Sequence, residues 1–246
     1  MLAEQGNLPI TGERTVPGIA RENYWFRRHE VVYRWITGQG FVQGTVIEAG
    51  CGEGYGADIL RAAGAQVLAI DYDGAVVDHV RRTYPRVQTM QANLIDLPLR
   101  SGTADAVVSL QVIEHLWDLP ALWNEVRRVL RPGGRVVVST PNRLTFSPGV
   151  ARGEKPTNPF HVEEFDADQL VAMFTDAGFS DVMVFGVRHG DRLADTDIVG
   201  RQVRAILADE WPADLAALVE SVTVEDFVVE AVDNEGDLDL VVVARR

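Results

Sequence analysis

From Thr45 onward the sequence alternates short apolar runs with amphipathic stretches of helical period, and that alternation admits few architectures. The runs "TVIEA", "QVLAID", "VQTMQ", "ADAVVSL", "GRVVVST" and "DVMVFGV" read as strands, with "LDLVVVARR" as the last. Helices are expected near residues 55–63, 74–84 and 119–130, the third halted by Leu130-Arg131-Pro132-Gly133-Gly134. A further helix, "DADQLVAMFTDAGF", takes its cap from Asp166 or Asp168 and stops at Gly178. The pattern predicts an α/β fold built on a parallel sheet.

Two segments fall outside the repeat. Residues 1–44 precede the first strand and carry the aromatic, arginine-rich run "ENYWFRRHE", which suits an amphipathic helix lying over the sheet as a cover. Residues 188–236 separate the last two strands, with "WPADLAALVESV" expected as a helix. The division is therefore an N-terminal cover over 1–44, a core over 45–187, a helical insertion over 188–236 and a last strand over 237–246. A chain of 246 residues accommodates all four in one domain.

The charge balance narrows the partners. A net charge of −13 disfavours a broad nucleic-acid surface, and the pairs Arg27-Arg28, Arg81-Arg82 and Arg127-Arg128 lie on expected helices, where solvated faces are the ordinary reading. The apolar runs are strand-sized, so no membrane span is expected. The opening "MLAEQGNLP" has neither a basic nor an apolar signal region, which points to the cytoplasm. One cysteine, Cys51, leaves no internal disulfide and no cysteine cage for zinc; it reads as a small loop residue rather than a nucleophile.

The first expected strand runs directly into "EAGCGEGYG", residues 48–56. Glycines here let the backbone approach a ligand and adopt positive φ, while the helix that follows offers free N–H groups. About 20 residues on, the second strand ends at Asp71, where a carboxylate can accept from both hydroxyls of a ribose. The segment "GEGYGA" also fits the dinucleotide pattern G-x-G-x-x-A, so a nicotinamide cofactor is an alternative from this stretch alone.

Glu48 ahead of the glycines, Asp71 at the second strand end and "RPGG" before the fifth strand together resemble the class I S-adenosylmethionine-dependent methyltransferases over about residues 45–187. The resemblance implies a Rossmann-like, seven-stranded, mostly parallel sheet with an antiparallel last strand. It implies S-adenosyl-L-methionine as cofactor, with Glu48, Gly50, Gly52 and Gly54 at the methionine end and loop. Asp71 would then hold the ribose and Asn93 stand near the adenine, with Tyr72, Leu94 and Gln111 as further cofactor-binding residues. Asn93 stands where this family often has Asp, and an amide still pairs with an adenine edge. Tyr24 and Arg28 of the N-terminal run are expected at the cofactor too, with Arg14, Arg27 and His29 as further residues reaching it or the acceptor.

The stretch "SLQVIEHLWD", residues 109–118, falls at the end of the fourth strand, the sheet edge where open α/β folds bind ligands. It is similar to the E-x-x-E-H of ubiquinone-pathway and small-RNA O-methyltransferases, which hold a divalent cation. Here Gln111 replaces the first acid. "NPFHVEEF", residues 158–165, resembles the segment giving the RNA enzymes another histidine. Glu114, His115 and His161 are thus candidate ligands for a cation such as Mg²⁺ and equally candidate catalytic groups, a histidine serving as general base; ordinary capping and backbone bonding is the structural alternative.

The N-terminal run, "EAGCGEGYGAD", "QANL", "QVIEHLWD" and the segment from Ser139 to Gly149 together resemble an actinobacterial group of methyltransferases associated with methylglucose lipopolysaccharide synthesis. That resemblance implies O-methylation of a saccharide, at a sugar hydroxyl such as glucose 6-OH. A small-metabolite methyltransferase acting on a quinone or natural product is the enzymatic alternative, and a non-catalytic cofactor-binding partner protein the alternative from another class.

Overall fold

The computed structural model describes residues 14–233 and 236–246; the start of the N-terminal cover, residues 1–13, and residues 234–235 of the expected insertion lie outside them. Five parallel strands lead: β1 (Thr45–Ala49), β2 (Gln66–Asp71), β3 (Gln88–Gln91), β4 (Ala104–Leu110) and β5 (Leu130–Pro141). They are followed by β6 (Ser180–His189), β7 (Phe227–Ala231) and β8 (Asp239–Arg245). The sheet order is β3-β2-β1-β4-β5-β8-β6-β7. β8 runs antiparallel between β5 and β6, and β7 runs antiparallel on the outer side of β6.

The helices are α1 (Asn23–Gly38), α2 (Tyr55–Ala62), α3 (Gly74–Thr83), α4 (Leu119–Val129), the single turn α5 (Arg143–Phe146), α6 (Ala167–Asp176), α7 (Ile198–Ala208) and α8 (Ala213–Glu220). Their starts follow local chemistry. Asp73 accepts from the Ala75 N–H, Asp118 accepts from the Ala121 N–H ahead of α4, and Asp166 forms a reciprocal capping box with Gln169 ahead of α6. Because β1, β4 and the later part of β5 are buried on both faces, two apolar clusters form. One holds Ile36, Val46, Leu60 and Val80 on the side of α1 to α3; the other holds Ile47, Leu122, Val138 and Leu170 on the side of α4 and α6.

The sheet has eight strands rather than the expected seven, and the insertion is not purely helical. β7 arises inside it from "FVVEA". Five residues with one side open to solvent pair only with β6, and such an edge strand leaves a weak alternation that its acidic flanks obscure. α7 precedes it as a second helix of the segment. The N-terminal run does form a helix: α1 packs on α2 and β7, and the Asn23 amide donates to the carbonyls of Val219, Glu220 and Val222 at the end of α8. None of the helices of the described residues is long and apolar enough to cross a membrane.

Candidate active site

A cleft of about 420 Å³ opens at the carboxyl ends of β1, β2 and β4, where β1 and β4 lie side by side and the connections diverge to opposite flanks. Such a switch point leaves a crevice that no crossover fills. Gly50, Cys51, Gly52, Glu53, Asp71, Tyr72, Asn93, Leu94, Gln111 and His115 line it, closed on the α1 side by Arg14, Thr15, His29, Tyr33 and Tyr55.

The glycine loop is set by backbone geometry. Gly50 has φ +82°, and a Cβ there would stand 2.6 Å from a Val112 methyl, so only hydrogen fits. Asp71 then fixes the loop: one carboxylate oxygen accepts from the Gly52 N–H at 3.0 Å and the other from the Asp73 N–H at 3.0 Å. Each oxygen retains a lone pair for a ligand hydroxyl. Glu48 sits one layer behind the cleft. Its Oε1 accepts from the Tyr33 hydroxyl at 2.7 Å, while Oε2 is buried with no hydrogen-bond partner among the described residues. Burial pushes its carboxyl up to about 8, against the Tyr33 and Ala57 donors that pull it down. Gly54, φ +97°, caps α2 and packs on Val80 rather than lining the cleft.

Glu53 ties the loop to α3, accepting from the Tyr84 hydroxyl at 2.8 Å and standing 2.9 Å from His79 Nε2. Cys51 is buried, and burial with the nearby carboxylates raises its thiol well above the ordinary range. A thiol so held is no nucleophile near neutral pH. Asn93 keeps its oxygen on the Ile95 N–H at 3.2 Å.

The opposite side of the cleft is assembled from distant segments. Gln111 follows β4 with φ +57°, an unusual conformation for a residue with a side chain, held by its N–H on the Ser139 carbonyl at 2.9 Å. Its amide nitrogen donates to Ser139 Oγ at 3.1 Å and to Asp239 Oδ1 at 3.2 Å. Asp239 is fully buried; burial pushes its carboxyl up and Arg28 pulls it back. Arg28 Nε stands 2.9 Å from Asp239 Oδ2, an ion contact too oblique for a hydrogen bond, and its guanidinium lies between the Trp25 and Phe146 rings.

Glu114, His115 and His161 do come together. His115 Nδ1 faces the Phe160 carbonyl at 3.2 Å, so that nitrogen carries the hydrogen. His161 Nδ1 lies 2.6 Å from Glu164 Oε1 and its Nε2 3.0 Å from the Asn158 amide nitrogen, which selects the Nδ1–H tautomer. The two imidazoles meet edge to face at 5.0 Å. His115 lines the cleft, whereas His161 and Glu164 are buried behind it. Glu114 accepts from the Thr140 hydroxyl at 3.1 Å, and burial raises its carboxyl to about 7.

As a cation site the trio fits poorly. One atom from each of the three lies within 4.8 Å of the others. Two ligands about 2.1 Å from a zinc- or magnesium-sized ion are at most about 4.2 Å apart, so the side chains would have to close in. The Gln111 amide nitrogen is committed to Ser139 and Asp239, so only its neutral Oε1 stands where a carboxylate would add charge to hold a cation.

Packing places several residues of the N-terminal run away from the cleft lining. Tyr24 is fully buried with its hydroxyl 2.7 Å from His189 Nε2; Arg28 is taken by Asp239; Arg27 pairs with Glu30 at 2.5 Å. These three do not line the cleft, because the face of α1 that carries Tyr24 and Arg28 turns toward β7 and β8. Arg14 and His29 do line it. Glu164, Ser139 and Asp239 join the site without a motif to mark them in the sequence. The His161-x-x-Glu164 spacing was the one available signal.

Comparison with known proteins agrees with this geometry. The methyltransferase domain family matches residues 47–138. A "probable S-adenosylmethionine-dependent methyltransferase" of Mycobacterium tuberculosis is 49% identical over 97% of this chain and 90% of its own length. A counterpart from Mycolicibacterium smegmatis is 48% identical over 97% and 95%. A solved S-adenosylmethionine-dependent methyltransferase from Thermotoga maritima superposes with a TM-score of 0.64 over 92% of this chain and 91% of that one, at 16% identity, a likeness of fold. With relatives matched over nearly their whole length, the chain belongs to the class I S-adenosylmethionine-dependent methyltransferases.

Proposed function

We propose that the protein is an O-methyltransferase whose acceptor is a hydroxyl of a saccharide, in the manner of methylglucose lipopolysaccharide synthesis, with residues 1–246 acting as one domain. The observation that carries this reading is the pair of oriented imidazoles, His115 at the cleft and His161 on Glu164 behind it. Amine acceptors bring their own lone pair, but a sugar hydroxyl is a weak nucleophile that gains from proton removal during transfer. S-adenosylmethionine, when bound, supplies an electrophilic methyl on sulfonium.

The chain supplies position and proton handling. Asp71 takes the ribose hydroxyls, Tyr72, Asn93 and Leu94 border the adenine, and Gly50 and Gly52 let the backbone approach the rest. Arg14 lies over Gly52, where a carboxylate would be neutralised. Glu48, behind the loop, holds its proton in the unliganded protein and would release it beside the cofactor's ammonium and sulfonium, whose positive charge favours the carboxylate. His115 receives the acceptor proton on Nε2. His161, polarised by Glu164, and Glu114 stabilise the resulting imidazolium.

The test is transfer of isotope-labelled methyl from S-adenosylmethionine to α-1,4-gluco-oligosaccharides, mannosides, quinols and RNA, with and without chelator. Label in an oligosaccharide that persists with chelator is the expected result. Label confined to a quinol or RNA overturns the saccharide assignment, and loss of label with chelator restores Glu114, His115 and His161 as cation ligands.

A further inference from the structure

Three aromatic side chains are strongly exposed among the described residues, Tyr72, Trp117 and Phe160, at 77%, 88% and 61%. Single exposed rings are ordinary on a protein surface, so what counts is where these three stand. One lines the cleft, and the other two are tied to residues that line it. Tyr72 lines its nucleoside end. Trp117 follows the lining residues His115 and Leu116, and the Phe160 carbonyl is the partner of His115 Nδ1. The Val162 and Glu163 N–H groups bind the Glu114 carbonyl at 2.7 and 3.4 Å, so the segments bearing Trp117 and Phe160 are joined at the histidines.

The floor of the cleft adds an independent constraint. Both donor contacts of the Gln111 amide are directed at Ser139 and Asp239, and a carboxylate beside Arg28 can only accept. The amide orientation is therefore fixed, and Gln111 Oε1, which accepts from no group among the described residues, is what remains for a ligand. Gln111 lines the cleft. The group it meets must donate, as a hydroxyl does and as a carboxylate or phosphate does not.

We propose that Trp117 and Phe160 form an acceptor subsite outside the catalytic cleft, a stacking platform for the sugar units of a neutral oligosaccharide whose reacting unit sits between Gln111 and His115. The apolar C–H face of a sugar ring carries slight positive charge and packs on the negative face of an aromatic ring. Charge selects against the other occupants. Asp118 is exposed beside Trp117, Glu163 lies near Phe160, and the whole chain carries −13, so a polyanion is repelled. The same charges break up the continuous apolar area that an acyl chain or membrane surface needs.

The subsite rests on the saccharide reading above, and binding is measured apart from turnover so that the two fail separately. Protein saturated with S-adenosylhomocysteine is titrated with maltoheptaose, cellohexaose, mannohexaose and hexagalacturonate, by calorimetry and by the indole N–H signals. A neutral oligosaccharide should bind and shift the Trp117 signal, identified by its loss in Trp117→Ala. Trp117→Ala should weaken that binding about tenfold and Phe160→Ala severalfold, with cofactor affinity kept, since both rings are exposed. Hexagalacturonate should bind at least about tenfold more weakly. The proposal is overturned if none of the neutral chains binds, if both variants bind as the parent does, or if the anionic chain binds equally well. Binding of a neutral chain through Trp117 without methyl transfer to any saccharide would instead remove the catalytic assignment and leave the platform standing.

Discussion

The two sides of the cleft are built by different means. On the cofactor side a single run, residues 48–56, makes the wall out of backbone, with φ values that glycine supplies and one carboxylate, Asp71, as the fastener. On the acceptor side four separated pieces meet: residues 111–115, 139–140, 158–164 and Asp239, backed by Arg28 from α1. A wall of backbone depends on local conformation, and a wall of side chains depends on long-range packing. The first tolerates change around it, while the second transmits change from far away.

That difference should appear most strongly in the buried ion pair. Arg28→Met leaves the Asp239 carboxylate buried without its cation, and stability should fall by about 3–5 kcal/mol, read from denaturant midpoints. The double replacement Arg28→Met with Asp239→Leu should regain much of it; a single variant as stable as the parent would mean that the pair does not hold the acceptor side. Next, His115→Gln should lower methyl transfer about 100-fold or more while the affinity for S-adenosylhomocysteine stays within about twofold. Equal losses in binding and transfer would place His115 on the cofactor side instead. Asp71→Asn, on that side, should weaken cofactor binding about tenfold through lost charge-assisted bonds, with acceptor KM hardly changed.

The smallest effect is in pH. Glu48 and Glu114 have raised carboxyls in the folded protein, to about 8 and about 7, so the folded state holds protons that the unfolded chain releases above its ordinary carboxylate range. Their contribution is complete below about pH 4.5 and is lost as pH rises toward 7 to 8. Stability should therefore decline across that window, and Glu48→Gln should flatten the upper part of the curve. A Glu48→Gln curve that follows the parent's would show that this carboxyl does not titrate there.

The same contrast explains what the sequence makes legible. The glycine loop, Asp71, Asn93 and the Glu114-His115 pair each lie at the end of a strand recognisable from its apolar run, so chain order alone places them at one edge. Glu164 is readable only as a spacing from His161. Asp239 looks like any acid at the start of a strand, and nothing near it in sequence announces Arg28, more than 200 residues earlier. The aromatic, arginine-rich character of α1 points Tyr24 and Arg28 toward the cofactor, but helical period does not say which face meets the sheet. β7 escapes because an edge strand needs only half an apolar pattern.

The position of β8 carries a consequence in time. It lies between β5 and β6 although both are synthesised before it, and it brings Asp239 under Gln111. During translation, β1 to β5 with their helices can assemble from near neighbours, including the glycine loop and Asp71. The β6–β7 ribbon has no place in that sheet until β8 slides in as the bridging strand. Strand order thus lets the glycine loop and Asp71 come together in a nascent chain before Asp239 can reach its place under Gln111.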